Sequence, residues 1–255
     1  MSAVPRLFVS ADLTLNGYAA LDEAQAKYLT RVLRLGVGGH VRVFNGRDGE
    51  WDAVIDTVEG RSVLLKAQQR LKEQGATPDL ILLFAPLKKT RTDFVIEKAT
   101  ELGVCVIQPV MTERTQASRV RADRLQKIAL EAAEQTERMD LPVVKDAMPV
   151  AAALDALDPG RPVYFCDEAG ETDDEPWGGR EGRAAPMLDV LQASEGSSGA
   201  LLVGPEGGFS PTEREMLRSR DQVVPVSLGP RILRAETAVV AALALWEAVL
   251  GDWRE

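Results

Sequence analysis

Leu201-Leu202-Val203-Gly204-Pro205-Glu206-Gly207-Gly208-Phe209 and, further along, Leu228-Gly229-Pro230-Arg231-Ile232-Leu233-Arg234-Ala235-Glu236-Thr237 decide how this chain reads. Each follows a short apolar run, passes through a Gly/Pro loop and leads into helical start signals. Ala200 to Val203 suit a buried strand, and Gly204, Gly207 and Gly208 allow positive φ or close approach to a ligand. Ser210 reads as a helix N-cap, with Pro211 at the first helical position and Glu213 completing a capping box. The second loop follows Val223 to Leu228, and its helix is expected from about Glu236 to Leu250, with Gly251 as the stop. Both loops therefore stand where a strand hands over to a helix. In an open parallel α/β sheet that is where ligands sit.

Working outward, strands alternate with helices. Leu80 to Ala85 is a continuous apolar strand, a helix is expected from about Thr92 to Leu102 with a stop at Gly103, and Val104 to Ile107 is the next strand. A helix from Asp123 to Arg138 puts Leu125, Ile128, Ala129, Ala132 and Ala133 on one stripe, and Pro162 to Cys166 is a further strand. This alternation implies a parallel sheet covered on both faces.

The N-terminal part has another rhythm. Val41 to Phe44 alternates, Asn45 to Gly49 turns, Glu50 to Val58 alternates again, and Glu59-Gly60-Arg61 turns into Ser62 to Ala67, an all-β meander. Ahead of it, Leu21 to Leu35 reads as a short helix with Arg31 and Arg34 three apart on one face. Such a pair is either a solvated face or a phosphate-contacting edge. Polar Lys72 to Asp79, containing Gly and Pro, marks the expected boundary, giving domains 1–74 and 75–255.

The chain of 255 residues is 45% hydrophobic and carries a net charge of −9. No run of about 18 apolar residues occurs and the N-terminus lacks a signal-peptide core, so a soluble, cytoplasmic protein with no membrane partner is expected. The negative charge argues against a nucleic-acid partner only until its distribution is considered. Asp167 to Glu195 holds nine acids against Arg180 and Arg183, whereas residues 1–74 hold ten Lys/Arg against nine Asp/Glu. This acidic segment up to Gly199 breaks the α/β rhythm; Pro186 to Gln192 is its one candidate helix, and a surface insertion is favoured over an active-site lid. Cys105 and Cys166 lie in apolar strands and are expected as buried free thiols, not a disulfide or metal pair.

Several chemistries lack their residues. There is no G-x-x-x-x-G-K-[ST] loop, no G-x-G-x-x-G after a first strand and no G-x-S-x-G elbow, and the single histidine, His40, sits in a turn. Histidine catalysis and histidine-rich metal sites are not expected. What remains is a pair of loops without a phosphate-cradling lysine, whose backbone groups can read an adenine edge and ribose while Leu228, Ile232 and Leu233 cover the ring. That suits a neutral nucleoside better than a triphosphate.

Together, Gly204-Pro205-Glu206-Gly207-Gly208 and Leu228 to Thr237 resemble the paired signature of the RsmE family of SPOUT methyltransferases, which act on uracil N3 of 16S rRNA. The resemblance extends in order along the chain: Arg31-Val32-Leu33-Arg34, Glu97 to Val104 with Pro109 and Arg114, and Glu134-Gln135 with Arg138 and Pro142. It departs at Ala235, where Thr is common, and in the length of the acidic insertion. It implies an α/β fold: a small PUA-like β-barrel that helps bind RNA, then a SPOUT domain with a mostly parallel sheet and a trefoil-knotted end. It further implies a homodimer, 16S rRNA or the small ribosomal subunit as partner, and S-adenosyl-L-methionine held bent in the knot. The expected cofactor walls are Val203, Gly204, Pro205, Glu206 and Gly207 on one side and Leu228, Gly229, Ile232, Leu233 and Arg234 on the other.

Uracil N3 is a weak acid, so methyl transfer needs its proton removed or its anion stabilised. Candidates are Arg234 and Glu236 beside the second loop, and Glu134 with Arg138 on the helix; Arg31, Arg34, Arg91 and Arg114 are candidates for RNA. Glu206 is the carboxylate a sulfonium would favour. For Glu134 and Glu236 a structural ion pair or cap is an equal alternative. A different class also remains: an RNA-binding assembly factor that keeps the fold without turnover, which cofactor binding would distinguish.

Overall fold

The computed structural model describes residues 4–117, 120–172, 179 and 181–254, which divide by packing into two compact units. The first runs up to Ala76 and also takes in Leu130–Leu141; the second holds Thr77–Ala129 and Pro142 onward.

In the first unit β1 (Arg6–Phe8), β2 (Tyr18–Ala20), β3 (His40–Phe44), β4 (Glu50–Glu59) and β5 (Ser62–Lys72) form one sheet in the order β1-β3-β4-β5-β2. Only β1 and β3 run parallel. The period of two expected from the sequence places Val41, Val43, Ala53, Ile55 and Leu65 on the buried face. The β4–β5 register shifts at three places, which bends the pair sharply, as small curved sheets require. At the end of the β3–β4 turn Gly49 has φ +81°, and a Cβ there would run into the Lys72 carbonyl, so glycine is required.

Leu130–Leu141 joins this unit through Arg6. Its guanidinium donates to Glu50 Oε1 at 2.5 Å, to the Ala133 carbonyl at 2.6 Å and to the Arg138 carbonyl at 2.7 Å, and lies 3.9 Å from the centre of the Phe44 ring. Two of these four partners lie on the returning segment and two in the sheet, so one planar cation ties the segment down more firmly than a surface ion pair would.

The expected helix over Leu21 to Leu35 is shorter than its pattern suggests. α1 (Glu23–Lys27), closed by an Asp22–Gln25 capping box, passes into a single π turn over Tyr28–Val32. Leu35 N–H then reaches back to the Leu29 carbonyl, and Arg34 takes φ +57°. This is the left-handed termination in which glycine is usual. Arg31 and Arg34 therefore do not share a helical face: one lies in the π turn and the other beyond it. Burial of Leu29 and packing of Leu35 on the core outweigh continued helical propensity.

The second unit contains β6 (Asp79–Phe84), α2 (Lys89–Glu101), β7 (Val106–Met111), α3 (Ala122–Gln135), β8 (Val143–Val144), β9 (Met148–Pro149), α4 (Val150–Asp155), β10 (Val163–Cys166), α5 (Met187–Gln192), β11 (Ser198–Val203), α6 (Pro211–Arg218), β12 (Val223–Val226) and α7 (Ala235–Val249). The last residues of α3 belong to the first unit. The strands form one sheet, β12-β10-β11-β6-β7-β8 with β9 beside β7, and every pair is parallel.

Alternate residues serve opposite faces. Leu80, Leu82, Tyr164, Leu201 and Val203 pack with α2, α5 and α7, while Leu83, Val163, Phe165, Ala200 and Leu202 pack with α4, Leu217 and Phe209. Both faces are covered, which is why these strands read as continuous apolar runs. Register pairs Val203 with Phe84 and Cys166 with Val226, so the carboxyl ends of β6, β10, β11 and β12 finish in one row. No helix among the described residues is long and apolar enough to cross a membrane.

Candidate functional site

Along that row of strand ends lies a cavity of about 310 Å³. Three segments wall it: Cys166–Gly170 with Thr172 after β10, Val203–Phe209 after β11, and Ile232–Leu233 leading into α7, with Arg114, Pro211 and Arg214 at its margins. Its size is at the low end of what small-ligand pockets use.

The first Gly/Pro loop is held from both ends. The Ser210 hydroxyl accepts from Glu213 N–H at 3.2 Å and the Glu213 carboxylate accepts from Ser210 N–H at 3.0 Å, the expected capping box, with Pro211 at the start of α6. Phe209 turns back into the core with its ring edge-on to Phe165, 5.0 Å between centres. A Cβ at Gly204 would strike that ring, with Cδ2 only 2.9 Å away, so the backbone approaches as closely as glycine allows. Arg114 donates to the Gly207 carbonyl at 2.9 Å and pins the tip.

The expected cofactor residues Val203, Gly204, Pro205, Glu206, Gly207, Ile232 and Leu233 are brought together on this cavity, as is Arg114. Leu228 and Gly229 are not among its lining residues. Leu228 packs on the core and gives its N–H to Glu168 Oε1 at 2.8 Å, and Gly229 turns the chain with φ +106°. Arg234 is the N-cap residue of α7 and its side chain makes no capping bond. Arg91 forms ion pairs with Glu206 and with Glu236, the latter at 3.5 Å, so it ties the first loop to the first turn of α7. Glu236 Oε2 is buried with no hydrogen-bond donor among the described residues.

Four other candidates belong to the first unit. Glu134 accepts the Phe8 N–H at 3.0 Å, and burial first of all raises its pKa above the ordinary carboxylate value. Arg138 forms a two-pronged pair with Asp140, at 3.0 and 2.9 Å. Arg31 and Arg34 sit at the π turn and its left-handed exit.

The segment after β10 contributes residues that the acidic composition assigns to a surface insertion. Asp167, 3% exposed, receives Arg214 at 3.0 Å and Arg218 at 2.9 Å. Glu168 also lines the cavity, and burial is the main cause of its raised pKa. A signal for them exists in the sequence. Cys166 ends a buried parallel strand, and the rule that singles out the other two loops applies equally to this one. The net acidity of residues 167–195 masks that signal. Cys105 and Cys166 are free thiols, and burial lifts the Cys166 thiol far above its usual range, leaving it unreactive. Thr172 is the last described residue before the heart of the insertion; residues 173–178 and 180 lie outside the described part. Among the described residues no group of three or more His, Cys, Asp or Glu could hold a metal ion.

Comparison with known proteins accords with this geometry. An RNA methyltransferase domain family matches residues 75–247, and an RNA methyltransferase PUA domain family matches residues 21–68. The ribosomal RNA small subunit methyltransferase E of Rickettsia conorii is 31% identical over 94% of this chain and 93% of its own. That of Synechocystis is 36% identical over 96% of this chain and 78% of its own. The crystal structure of the Neisseria gonorrhoeae ribosomal RNA small subunit methyltransferase E bound to S-adenosyl methionine superposes with a TM-score of 0.83 at 26% identity, covering 98% of this chain and all of that one. The parallel sheet with its loop cavity, the small N-terminal sheet and these likenesses along nearly the whole length place the chain in the ribosomal RNA small subunit methyltransferase E family, RNA methyltransferases with a PUA-like N-terminal domain.

Proposed function

We propose that the protein transfers a methyl group from S-adenosylmethionine to N3 of a uridine in 16S rRNA of the small ribosomal subunit, acting in the cytoplasm. The observation that carries this reading is the cavity at the row of strand ends, walled by the Gly204–Gly208 loop and by Ile232–Leu233. Its residues fit the cofactor. The Gly204–Gly208 backbone faces the cavity with its polar groups, and Ile232, Leu233, Ala235 and Ala238 offer an apolar cover for adenine. S-adenosylmethionine supplies an electrophilic methyl group on a sulfonium.

The protein has two further tasks: to hold the uracil and to deal with its N3 proton. Arg114 and Arg91 stand beside the first loop, where they stabilise negative charge developing on the base or on an adjoining phosphate. Glu206 borders the cavity and pairs with Arg91, and we assign it the N3 proton, with Glu236 holding Arg91 from the other side. Arginines carry the charge and no metal enters the scheme. Arg234 would contact the substrate from the start of α7. Residues 1–74, with Arg31 and Arg34, would contribute RNA affinity, and residues 75–255 the chemistry. Glu134 and Arg138 support that role by shaping the first unit.

A homodimer completes the reading. The outward face of α7 shows Thr237, Val240, Ala241, Ala244 and Ala248, with no charge, and a helix apolar on both faces calls for a second partner.

The test has two arms. Purified protein should bind S-adenosylhomocysteine by calorimetry, elute as a dimer in light scattering, and methylate small-subunit RNA from a strain lacking the gene, with mass spectrometry locating the mark on uracil N3. A folded dimer that binds no cofactor would favour the RNA-binding assembly factor instead.

A further inference from the structure

Asp167 and Glu168 are adjacent carboxylates on the cavity wall, yet they are provided for differently. Asp167 is saturated by Arg214 and Arg218. Glu168 commits Oε1 to the Leu228 N–H at 2.8 Å, which braces the start of the second loop, while the nearby Arg183 charge and, more weakly, a hydrogen bond from the Ser227 hydroxyl also favour its ionised form. Its Oε2 is shut off from solvent and has no hydrogen-bond donor among the described residues. A buried acceptor left in this state is costly unless something brings it a donor.

We propose that Glu168 is the residue that recognises the ribose of the cofactor, its free carboxylate oxygen accepting from the sugar hydroxyls while the other oxygen holds the Leu228 loop in place. This rests on the proposed binding of S-adenosylmethionine in the cavity. Two arguments select the sugar over the other donors of S-adenosylmethionine. If adenine lies against Ile232, Leu233, Ala235 and Ala238, the group attached to it is the ribose, and a vicinal diol is the donor pair that suits one carboxylate. The amino-acid tail has an ammonium, but it also has a carboxylate, which the adjacent Glu168 repels and which Arg114 at the cavity margin attracts.

The experiment uses calorimetry on the full chain with three probes: S-adenosylhomocysteine, adenosine, which lacks the tail, and 2′,3′-dideoxyadenosine, which lacks the diol. Glu168→Gln keeps the volume and lets the amide oxygen hold Leu228 N–H, but turns a donor toward the sugar. The wild-type chain should bind adenosine about tenfold more tightly than the dideoxy compound. Glu168→Gln should abolish that difference and weaken S-adenosylhomocysteine by a similar factor. Loss confined to S-adenosylhomocysteine would assign Glu168 to the tail and overturn the proposal, as would an unchanged adenosine-to-dideoxyadenosine ratio in the variant. Both outcomes leave the cofactor reading standing, whereas a wild-type chain that binds no S-adenosylhomocysteine sinks that reading and this one with it. The unliganded melting temperature of Glu168→Gln monitors folding. Should it fall sharply, the wild-type ratio alone decides, because a ratio near one overturns the proposal without any variant.

Discussion

The Arg214 guanidinium lies flat against the Asp167 carboxylate, with Nε 3.0 Å from Oδ1 and Nη2 3.2 Å from Oδ2. Arg214 sits on α6, at the far end of the first Gly/Pro loop, and Asp167 on the segment after β10, so this pair closes the cavity wall. Asp167→Ala leaves two arginines facing an apolar gap. The cost should fall toward the low end of the roughly 3–5 kcal/mol typical of breaking a buried pair, because Arg214 and Arg218 keep some access to water. Urea unfolding measures it. Arg218→Ala should cost clearly less, since Arg214 still holds the carboxylate, and equal losses from the two variants would show that the pair does not act as described.

Gly204 and Gly207 differ within one motif. A Cβ at Gly204 meets the Phe209 ring at its Cδ2 and Cζ, 2.9 and 3.1 Å away, whereas one at Gly207 meets Arg114 side-chain carbons at 3.6 and 3.7 Å, ordinary contact. Gly204→Ala should therefore destabilise by about 1–3 kcal/mol, as overpacking does, and weaken S-adenosylhomocysteine binding. Gly207→Ala should melt within a degree or two of the wild-type chain. A Gly204→Ala protein as stable as the wild type would mean that Phe209 yields freely.

Much of this site is legible in the amino-acid sequence. The loops after β11 and β12 announce themselves because glycine, proline and a capping box each have a mechanical reason to be there. The buried strands do so because two covered faces leave no polar alternation. Asp167 and Glu168 do so only through the strand end at Cys166, and the acidic run that follows hides it, since a carboxylate on a cavity wall and one in a solvated acidic run look alike in sequence. The register of β10 with β12 separates them. Nor is the π turn at Tyr28–Val32 legible, because tertiary burial of Leu29 and Leu35 decides it over local propensity.

Arg91 links Glu206 to Glu236 and is not buried in a core, so its loss should harm chemistry more than folding. Arg91→Ala should lower kcat/KM for RNA methylation by roughly tenfold to a hundredfold, the effect of removing one charge-stabilising group. Affinity for S-adenosylhomocysteine should stay within about threefold. Arg91→Lys, which keeps the charge but not the fork that reaches two carboxylates, should recover only part of the loss. A rate unchanged in Arg91→Ala would remove Arg91 from the catalytic scheme.

Glu134 offers a pH test that separates a structural carboxyl from a proton acceptor. Burial raises its pKa above the ordinary 4.5, opposed by the Phe8 N–H, while nearby Glu131 and Asp22 push it further up and Arg6 pulls it down. A carboxyl raised in the folded state binds its proton more tightly there than in the unfolded chain. Its favourable contribution is thus full below pH 4.5 and disappears as pH climbs through the raised folded value. Glu134→Gln stays neutral at every pH and keeps an acceptor for Phe8 N–H. Relative to the wild-type chain it should therefore gain stability as pH rises from about 4 to about 7, read as a growing difference in urea midpoint, with methylation at about pH 7.5 retained. A variant that is stable but inactive would instead make Glu134 the group that takes the uracil proton and release Glu206 from that role.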